Sequence, residues 1–372
     1  VYLISFLVII VFLFLGVAFY KVEEKRVKNA IFNQLSTIAR LQADEIKAWL
    51  DKSRADAEET AGSKFFAAAI LHFLQQPTDE NRREVEERLE LTAQVYGYSR
   101  LMILDREKRP LLAVGEEAPE GAPASFSAEL KEALAQTEKS GEVSITDLHF
   151  PRPGSRPHLD IVAAIYAPQK AEKQEKERTW PEAYLILTAE AQKSLFPLIE
   201  SWPIASTTGE TLLVKKEGDE IVFLSELKDK ENAALIYRRP LDQQKLAAVR
   251  RAFDRPGPVE SLDYRGQKVM AFLSPVPGTS WYIVSKIDRQ EALSIWQTRA
   301  ALIILLLLAV TVAGLLLIWL LHQRREKASL TKLYQAETEA RESQELFRVL
   351  TESSLTGVYL IQDGVFKYVN QT

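Results

Sequence analysis

Two long hydrophobic runs interrupt an otherwise mixed chain. VYLISFLVIIVFLFLGVAFY, Val1–Tyr20, and ALIILLLLAVTVAGLLLIWLL, Ala301–Leu321, contain no charged residue. Twenty helical residues at 1.5 Å each give about 30 Å, the thickness of the hydrocarbon layer. Both runs predict membrane-crossing helices. The first ends in Phe19-Tyr20 and a charged stretch from Lys21, not in small residues, so it reads as an uncleaved anchor. Trp296 and Trp319 flank the second, where indoles favour the interface.

Between the runs the pattern is globular. Lys21–Ala61 has no Gly or Pro, and Val27, Ile31, Leu35, Ile38, Ile46, Trp49 and Leu50 recur at helical spacing. A long amphipathic helix is expected, then a shorter one with Thr78 as N-cap before Asp79-Glu80. The period then changes to two. LMILDREKRPLLAVG predicts a strand pair and SAELKEALAQTEK a helix. EVSITDLHF and HLDIVAAIYAP predict strands around PRPGSRP, and AYLILTAE another after the charged AEKQEKER.

That order then repeats. ETLLVKKEGDEIVFLSEL predicts a hairpin turning at Glu217-Gly218-Asp219, and LAAVRRAFD a helix. GPVESLDYRGQKVMAFLSPVPGTSWYIVSKID predicts three antiparallel strands turning at Tyr264-Arg265-Gly266 and Pro277-Gly278. The fold class is α+β, with two small modules of similar topology in tandem.

Between Gly278 and Gly357 there is no Pro and one Gly, Gly314. Asp288-Arg289-Gln290-Glu291 is a helix start with acids in the first turn. A nearly continuous helix on the order of 100 Å long is expected from there, through the second apolar run, to Phe347. Leu333, Ala336, Ala340, Ser343, Phe347 and Leu350 fall on alternating heptad positions, a thin seam that calls for a partner and hence a parallel homodimer. The end, GVYLIQDGVFKYVNQT, has Asp363-Gly364 between two β-prone runs and predicts a hairpin. Opening on Val1 and closing inside such a unit, the chain reads as a fragment.

The arrangement of anchor, long helix, two sheet modules and second anchor resembles a bacterial double Cache sensor. The specific stretches are ETLLVKKEGDEIVFLSEL and DYRGQKVMAFLSPVPGTSWYIVSKID, which are similar to the membrane-proximal Cache module of sensor kinases and cyclases. FRVLTESSLTGVYLIQDGVFKYVNQT resembles the first helix and strands of a PAS domain. The resemblance implies a first transmembrane helix over 1–20 and a long extracytoplasmic helix over 21–75. It implies a membrane-distal module over 76–200, a membrane-proximal one over 201–288 and a juxtamembrane helix over 289–300. Beyond these it implies a second transmembrane helix over 301–321, a signalling helix over 322–346 and a truncated PAS domain from 347 to 372.

Charge does not orient the chain, because basic residues follow both runs and the segment between is too long for the positive-inside rule. The resemblance does. It implies a multi-pass protein of the bacterial inner membrane, with 21–300 outside and 322–372 in the cytoplasm.

In outward Cache modules ligands lie against the distal sheet. By that analogy the ligand-binding candidates are Tyr96, Tyr98, Arg100, Asp147, Asp160 and Tyr166. Tyr98 and Arg100 are expected to share a strand face, with Arg100 forking a carboxylate and Asp160 holding an ammonium. In HLDIVAAIY, Leu159, Ile161, Ala163 and Ile165 form the face expected against helices. His158, Asp160, Val162, Ala164 and Tyr166 form the other. The ligand is a small molecule, an amino acid or a carboxylate. A surface Arg-Asp pair beside core tyrosines is the alternative reading of the same residues.

A net charge of -4 argues against nucleic acid as a partner. The absence of Cys excludes thiolate metal sites, catalytic thiols and disulfides. His149 and His158 flank PRPGSRP without a third ligand at useful spacing, so no metal or cofactor is expected. No phosphate loop or nucleophile elbow occurs, so this segment carries no catalytic residues. Any enzyme activity is expected beyond Thr372. The first expectation is a histidine kinase acting on a response regulator, the second a diguanylate cyclase or phosphodiesterase. A chemoreceptor without enzymatic output and a tethered hydrolase are weaker readings.

Overall fold

The computed structural model describes the chain except residues 1, 116–125, 153, 168–179, 204, 242–246 and 372, and the side chains at 2–9, 12, 13, 247 and 295. The charged loop at 171–178 and more than half of the first apolar run's side chains thus lie outside the described residues. The chain divides into two compact units, Glu24–Ile295 and Val1–Glu23 with Trp296–Thr372.

Helix α1 (Tyr2–Gly62) leads into the larger unit and is followed by α2 (Lys64–Gln75) and α3 (Asp79–Tyr96). The helix expected over 21–75 is therefore interrupted. Ser63 is extended, and its Oγ accepts from Phe66 N at 3.4 Å, capping a new helix. Thr78 caps α3 as its position predicts, accepting from Asn81 N at 3.3 Å.

The first sheet is built from β1 (Arg100–Asp105), β2 (Pro110–Gly115), β3 (Ser144–Ile145), β4 (His158–Ile165) and β5 (Ala183–Glu190), with α4 (Ala128–Ser140) between β2 and β3. Its order is β2-β1-β5-β4-β3, antiparallel throughout. Two short helices, α5 (Ala191–Ser194) and α6 (Phe196–Glu200), lead onward. The second sheet holds β6 (Glu210–Glu217), β7 (Glu220–Phe223), β8 (Arg238–Pro240), β9 (Pro258–Leu262), β10 (Lys268–Pro275) and β11 (Trp281–Asp288), with α7 (Ala247–Asp254) before β9. Its order is β8-β7-β6-β11-β10-β9. Apart from β8 the two orders are the same, so the repeat in element order is a repeat in topology. Strand β8, with the sequence RRP, has no strand signal of its own. The strand expected across EVSITDLHF shrinks to Ser144–Ile145 plus one isolated bridge between His149 and His158.

Alternation along the strands divides the core. Leu101 and Ile103 pack with Ala57, Phe66, Ile70, Val85 and Leu89 of α1 to α3. Met102 and Leu104 face the other way, onto Leu130, Ala133 and Leu134 of α4. In the second sheet Leu213, Met270, Phe272 and Ile283 pack on Leu35, Ala39, Ala43 and Ile46 of α1. Leu212, Leu273 and Val284 pack with Ala252 and Phe253 of α7. Each sheet is a middle layer, with α1 behind both and one short helix in front of each.

Two charged clusters fix the end of β11. Lys286, 2% exposed, reaches Glu210 Oε2 at 2.7 Å and Asp263 Oδ2 at 2.9 Å. Burial would raise the Asp263 carboxyl, but Lys286 and Arg265 outweigh it and hold the group below its usual range. Beyond β11 starts α8 (Arg289–Glu352), whose Glu291 accepts from the backbone N–H of Thr207 at 2.9 Å and of Thr208 at 2.8 Å. Burial opposes its ionisation, yet these donors and the hydroxyls of Ser206, Thr207 and Thr208 pull it down to about 2.

In the smaller unit α8 continues without a break to Glu352. Among the described residues it is the one helix long and apolar enough to cross a membrane. The rings of Tyr20 and Trp296 lie 4.7 Å apart. After α8 come β12 (Tyr359–Gln362) and β13 (Val365–Val369), the expected hairpin. Its turn places Asp363 and Gly364 at φ of 57° and 75°, the left-handed pair that a two-residue hairpin requires. Asn370 fastens the hairpin, donating to Thr351 O at 2.9 Å and accepting from Val358 N at 2.8 Å.

Lys286→Met strips Glu210 of its cation and leaves the buried Asp263 with Arg265 alone, so it should cost on the order of 3 kcal/mol in chemical denaturation. Lys47→Met, which removes the exposed pair with Asp51, should cost less than about 1 kcal/mol. Equal losses would show that the buried cluster carries no special weight.

Candidate functional site

A cavity of about 100 Å³ opens on the α4 side of the first sheet. That is several times the ~10–15 Å³ that one water needs. Arg100 and Met102 of β1, His158 and Asp160 of β4, and Thr188 and Glu190 of β5 form its sheet wall. Phe126, Ser127 and Leu130 at the start of α4 face them, and His149, Arg152 and Arg156 come from the segment before β4.

Register explains why three of these residues meet. Arg100 pairs with Thr188 across β1 and β5, and Asp160 pairs with the same Thr188 across β4 and β5. Residues paired across neighbouring strands project to one face. The row Arg100, Thr188, Asp160 therefore spans three central strands, a cation at one end and an anion at the other. Thr188 Oγ1 donates to Asp160 Oδ1 at 2.6 Å, and Asp160 N donates to Thr146 Oγ1 at 2.9 Å. Arg156 Nη1 donates to Glu190 Oε1 at 2.6 Å. Burial alone would raise the Glu190 carboxyl, but Arg156 and Lys193 outweigh it and lower it.

The six residues proposed from sequence do not stay together. Arg100 and Asp160 line the cavity. Tyr98 lies on the opposite face, in the cluster with Leu101 and Ile103, and its hydroxyl donates to Asp56 Oδ2 of α1 at 3.1 Å. The expectation that Tyr98 and Arg100 share a face fails because Tyr98 precedes β1. Gly97, at φ 78°, ends α3 in the left-handed region and turns the chain so that strand alternation begins only at Arg100. Tyr96 packs with that same helix-side cluster. Burial raises its phenol, helped by Glu59 and Asp56 of α1. Tyr166 lies at the far end of α4, its hydroxyl beside Gly141.

Asp147 sits at the joint of the two modules. Its Oδ1 accepts from Trp281 Nε1 at 2.6 Å, and its Oδ2 accepts from Lys215 Nζ at 2.5 Å. This explains why EVSITDLHF does not extend as a strand: Asp147 is held by β6 and β11 of the neighbouring module. Sequence reasoning had no signal for Thr188, Glu190 or Arg156 as cavity residues, because only sheet order brings them beside β1 and β4. The face assignment in HLDIVAAIY holds, with Ile161, Ala163 and Ile165 on the helix side. Val162 and Ala164, however, pack beneath α4 and leave only the His158–Asp160 end open.

His149 is buried on the cavity wall. Burial alone would lower its imidazole, but Asp160 outweighs that and holds it above the ordinary 6.5. A raised basic group stabilises the fold fully below its unfolded value and loses that contribution as pH rises through the folded one. Among the described residues no group of three or more His, Asp or Glu is placed to hold a metal ion.

Two outcomes follow from this geometry. Asp147→Ala leaves a buried indole N–H without an acceptor, so it should cost about 1–3 kcal/mol in denaturant unfolding and change Trp281 fluorescence. Across a Tm series from pH 5 to 9, His149→Gln should remove part of the loss that the native chain shows above about 6.5. An identical pH profile would mean that His149 is not coupled to folding.

No protein-family model matches the chain, and no curated protein does. Solved structures align with most of the chain at low identity. The ligand-binding domain of the Pseudomonas fluorescens chemoreceptor CtaA, in complex with L-isoleucine, aligns over 74% of this chain and 98% of its own, at 16% identity and a TM-score of 0.45. That of the Pseudomonas aeruginosa PAO1 amino acid chemoreceptor PctB, in complex with L-Arg, aligns over 71% and 97%, at 15% identity and 0.46. The sensory domain of the Campylobacter jejuni chemoreceptor Tlp3 aligns over 72% and 97%, at 11% identity and 0.48.

Proposed function

We propose that residues 24–295 form an extracytoplasmic sensor for a small zwitterion, an amino acid in the simplest case, and that the cavity on the first sheet is its binding site. The observation that carries this reading is the row Arg100, Thr188, Asp160 on the wall of one cavity. A guanidinium can hold a carboxylate with two parallel hydrogen bonds, and a carboxylate can hold an ammonium. Both ends of such a ligand then find a partner within one pocket. Tyr96, Tyr98, Asp147 and Tyr166 play no part in contacting the ligand under this reading.

The sensor would sit in a bacterial cell membrane, anchored by the apolar runs at 1–20 and 301–321, with 322–372 in the cytoplasm. The signal would pass through α8, which starts directly after β11 and has no break. A helix without Pro or flexible linker transmits a displacement that a Gly/Ser linker would absorb. Binding can bias the receptor only by its differential affinity for two states. Leu333, Phe347 and Leu350, exposed on the single chain, would form the seam of a parallel homodimer. The hairpin β12–β13 would open a PAS domain, and a histidine kinase beyond it would pass phosphate to a response regulator.

A thermal-shift screen of the chain in nanodiscs against amino acids, carboxylates and amines tests the site. Amino acids should raise Tm, and Arg100→Ala and Asp160→Asn should each weaken the shift at least tenfold in ligand concentration, the loss of one charged hydrogen-bonded contact of roughly 1.5–3 kcal/mol. Hits that ignore both substitutions would place the ligand elsewhere. Transmission is tested in the whole receptor by inserting Gly-Gly-Pro after Ser329. Output should stop responding to ligand while the thermal shift persists. An unchanged response would rule out transmission through α8.

A further inference from the structure

The ligand reading employs Arg100 and Asp160 and leaves His149 unexplained. His149 is 4% exposed and stands on the cavity wall. Its Nδ1 lies 3.1 Å from the backbone oxygen of Asp147. Thr146 Oγ1 stands farther from the same nitrogen, at 3.5 Å. A carbonyl oxygen only accepts, so the shorter contact puts the proton on Nδ1, with the hydroxyl accepting a weaker share of it. In the neutral ring Nε2 then presents a bare lone pair. Nε2 is buried and makes no hydrogen bond among the described residues, yet it faces Asp160 Oδ2 at 3.4 Å. The other oxygen of Asp160 is occupied by Thr188. Two acceptors facing each other away from water repel, and a positive group is needed to hold them. A proton on Nε2 is one solution. A cation bonded to both atoms is the other.

We infer that His149 shares the ligand's ammonium with Asp160 and gives up its own proton when the ammonium arrives. This deepens the ligand reading above and depends on it. An ammonium has three N–H donors. Acceptors 3.4 Å apart can both lie about 2.8 Å from one nitrogen, the length of a charged hydrogen bond. The ligand's ammonium brings one positive charge to this seat, the imidazolium loses one as a proton to solvent, and the seat keeps its net charge. No oxidant or further reactant is needed. An amine-bearing ligand therefore binds more tightly as pH rises through the His149 titration. A carboxylate without an amine leaves the imidazolium in place and binds more weakly over the same range.

Other charges surround the ring. Arg100 from β1, His158 from β4 and Glu190 from β5 share the cavity, and Arg152 and Arg156 come from the preceding segment. Glu129 of α4 acts on the ring at longer range, and Lys215 of β6 is bonded to the Asp147 side chain. Among the described residues Asp160 is the charge within ion-pair reach of Nε2, so its contact governs the proton.

The chain has four histidines, which allows His149 to be assigned in imidazole nitrogen spectra by comparison with His149→Gln. The experiment titrates the full chain in nanodiscs with methylammonium chloride as probe, and with sodium chloride at equal ionic strength as reference. Saturating methylammonium should lower the apparent His149 pKa by about one unit or more. Sodium should leave it in place, and Asp160→Asn should abolish the response. A His149 titration unmoved by methylammonium, or a fall equally large in Asp160→Asn, overturns the inference. If that happens while amino acids still give a shift dependent on Arg100 and Asp160, proton exchange alone is wrong. If no amino acid shifts Tm at all, the ligand reading fails with it.

Discussion

Strand β11 is held on every side, and most of the architecture follows from that. It is hydrogen-bonded along one edge to β6 and along the other to β10. Trp281 at its start is tied to Asp147 in the other module. Lys286 near its end is locked between two buried carboxylates. Asp288 N then donates to Thr208 Oγ1 at 3.1 Å, and Glu291 one turn later closes on the same loop. A strand so constrained cannot move alone. Moving it alone would break hydrogen bonds to β6 and the 206–208 loop, each worth about 0.5–1.5 kcal/mol, and the buried Lys286 cluster, worth several kcal/mol.

The two sheets use one topology for opposite ends. In the first, the row across the three central strands reads Arg100, Thr188, Asp160, and it lines a cavity. In the second, the equivalent row reads Glu210, Lys286, Ala271. There the acid and the base stand on adjacent strands and meet directly, and Asp263 completes the cluster. In the first sheet an uncharged Thr separates the charges, so the cation and the anion are two strand spacings apart, roughly 9–10 Å of backbone. Adjacent opposite charges satisfy one another and stabilise.

Much of the fold was readable because it rests on local rules. Period-two runs, left-handed turn residues and the absence of helix breakers identify most strands, the hairpin at Asp363-Gly364 and the unbroken α8. Local rules failed where a distant partner decided the outcome. The strand across EVSITDLHF was curtailed by the hold on Asp147 from Trp281 and Lys215. Ser63 interrupted the long helix with a single side-chain cap. Strand β8 exists because β7 offers an edge, not because RRP favours extension.

The site divides the same way. From sequence alone came the two apolar runs and the tandem α+β order, since these depend on composition and on spacing within a few residues, whereas Arg100 and Asp160 were picked out by the resemblance to a family. Only the tertiary structure decided that Arg100 and Asp160 meet across Thr188, that Tyr98 turns away at Gly97, that Asp147 belongs to the module joint and that His149 confronts Asp160. The reason is physical: sheet order and register set which side chains become neighbours across dozens of residues, and no local pattern encodes them.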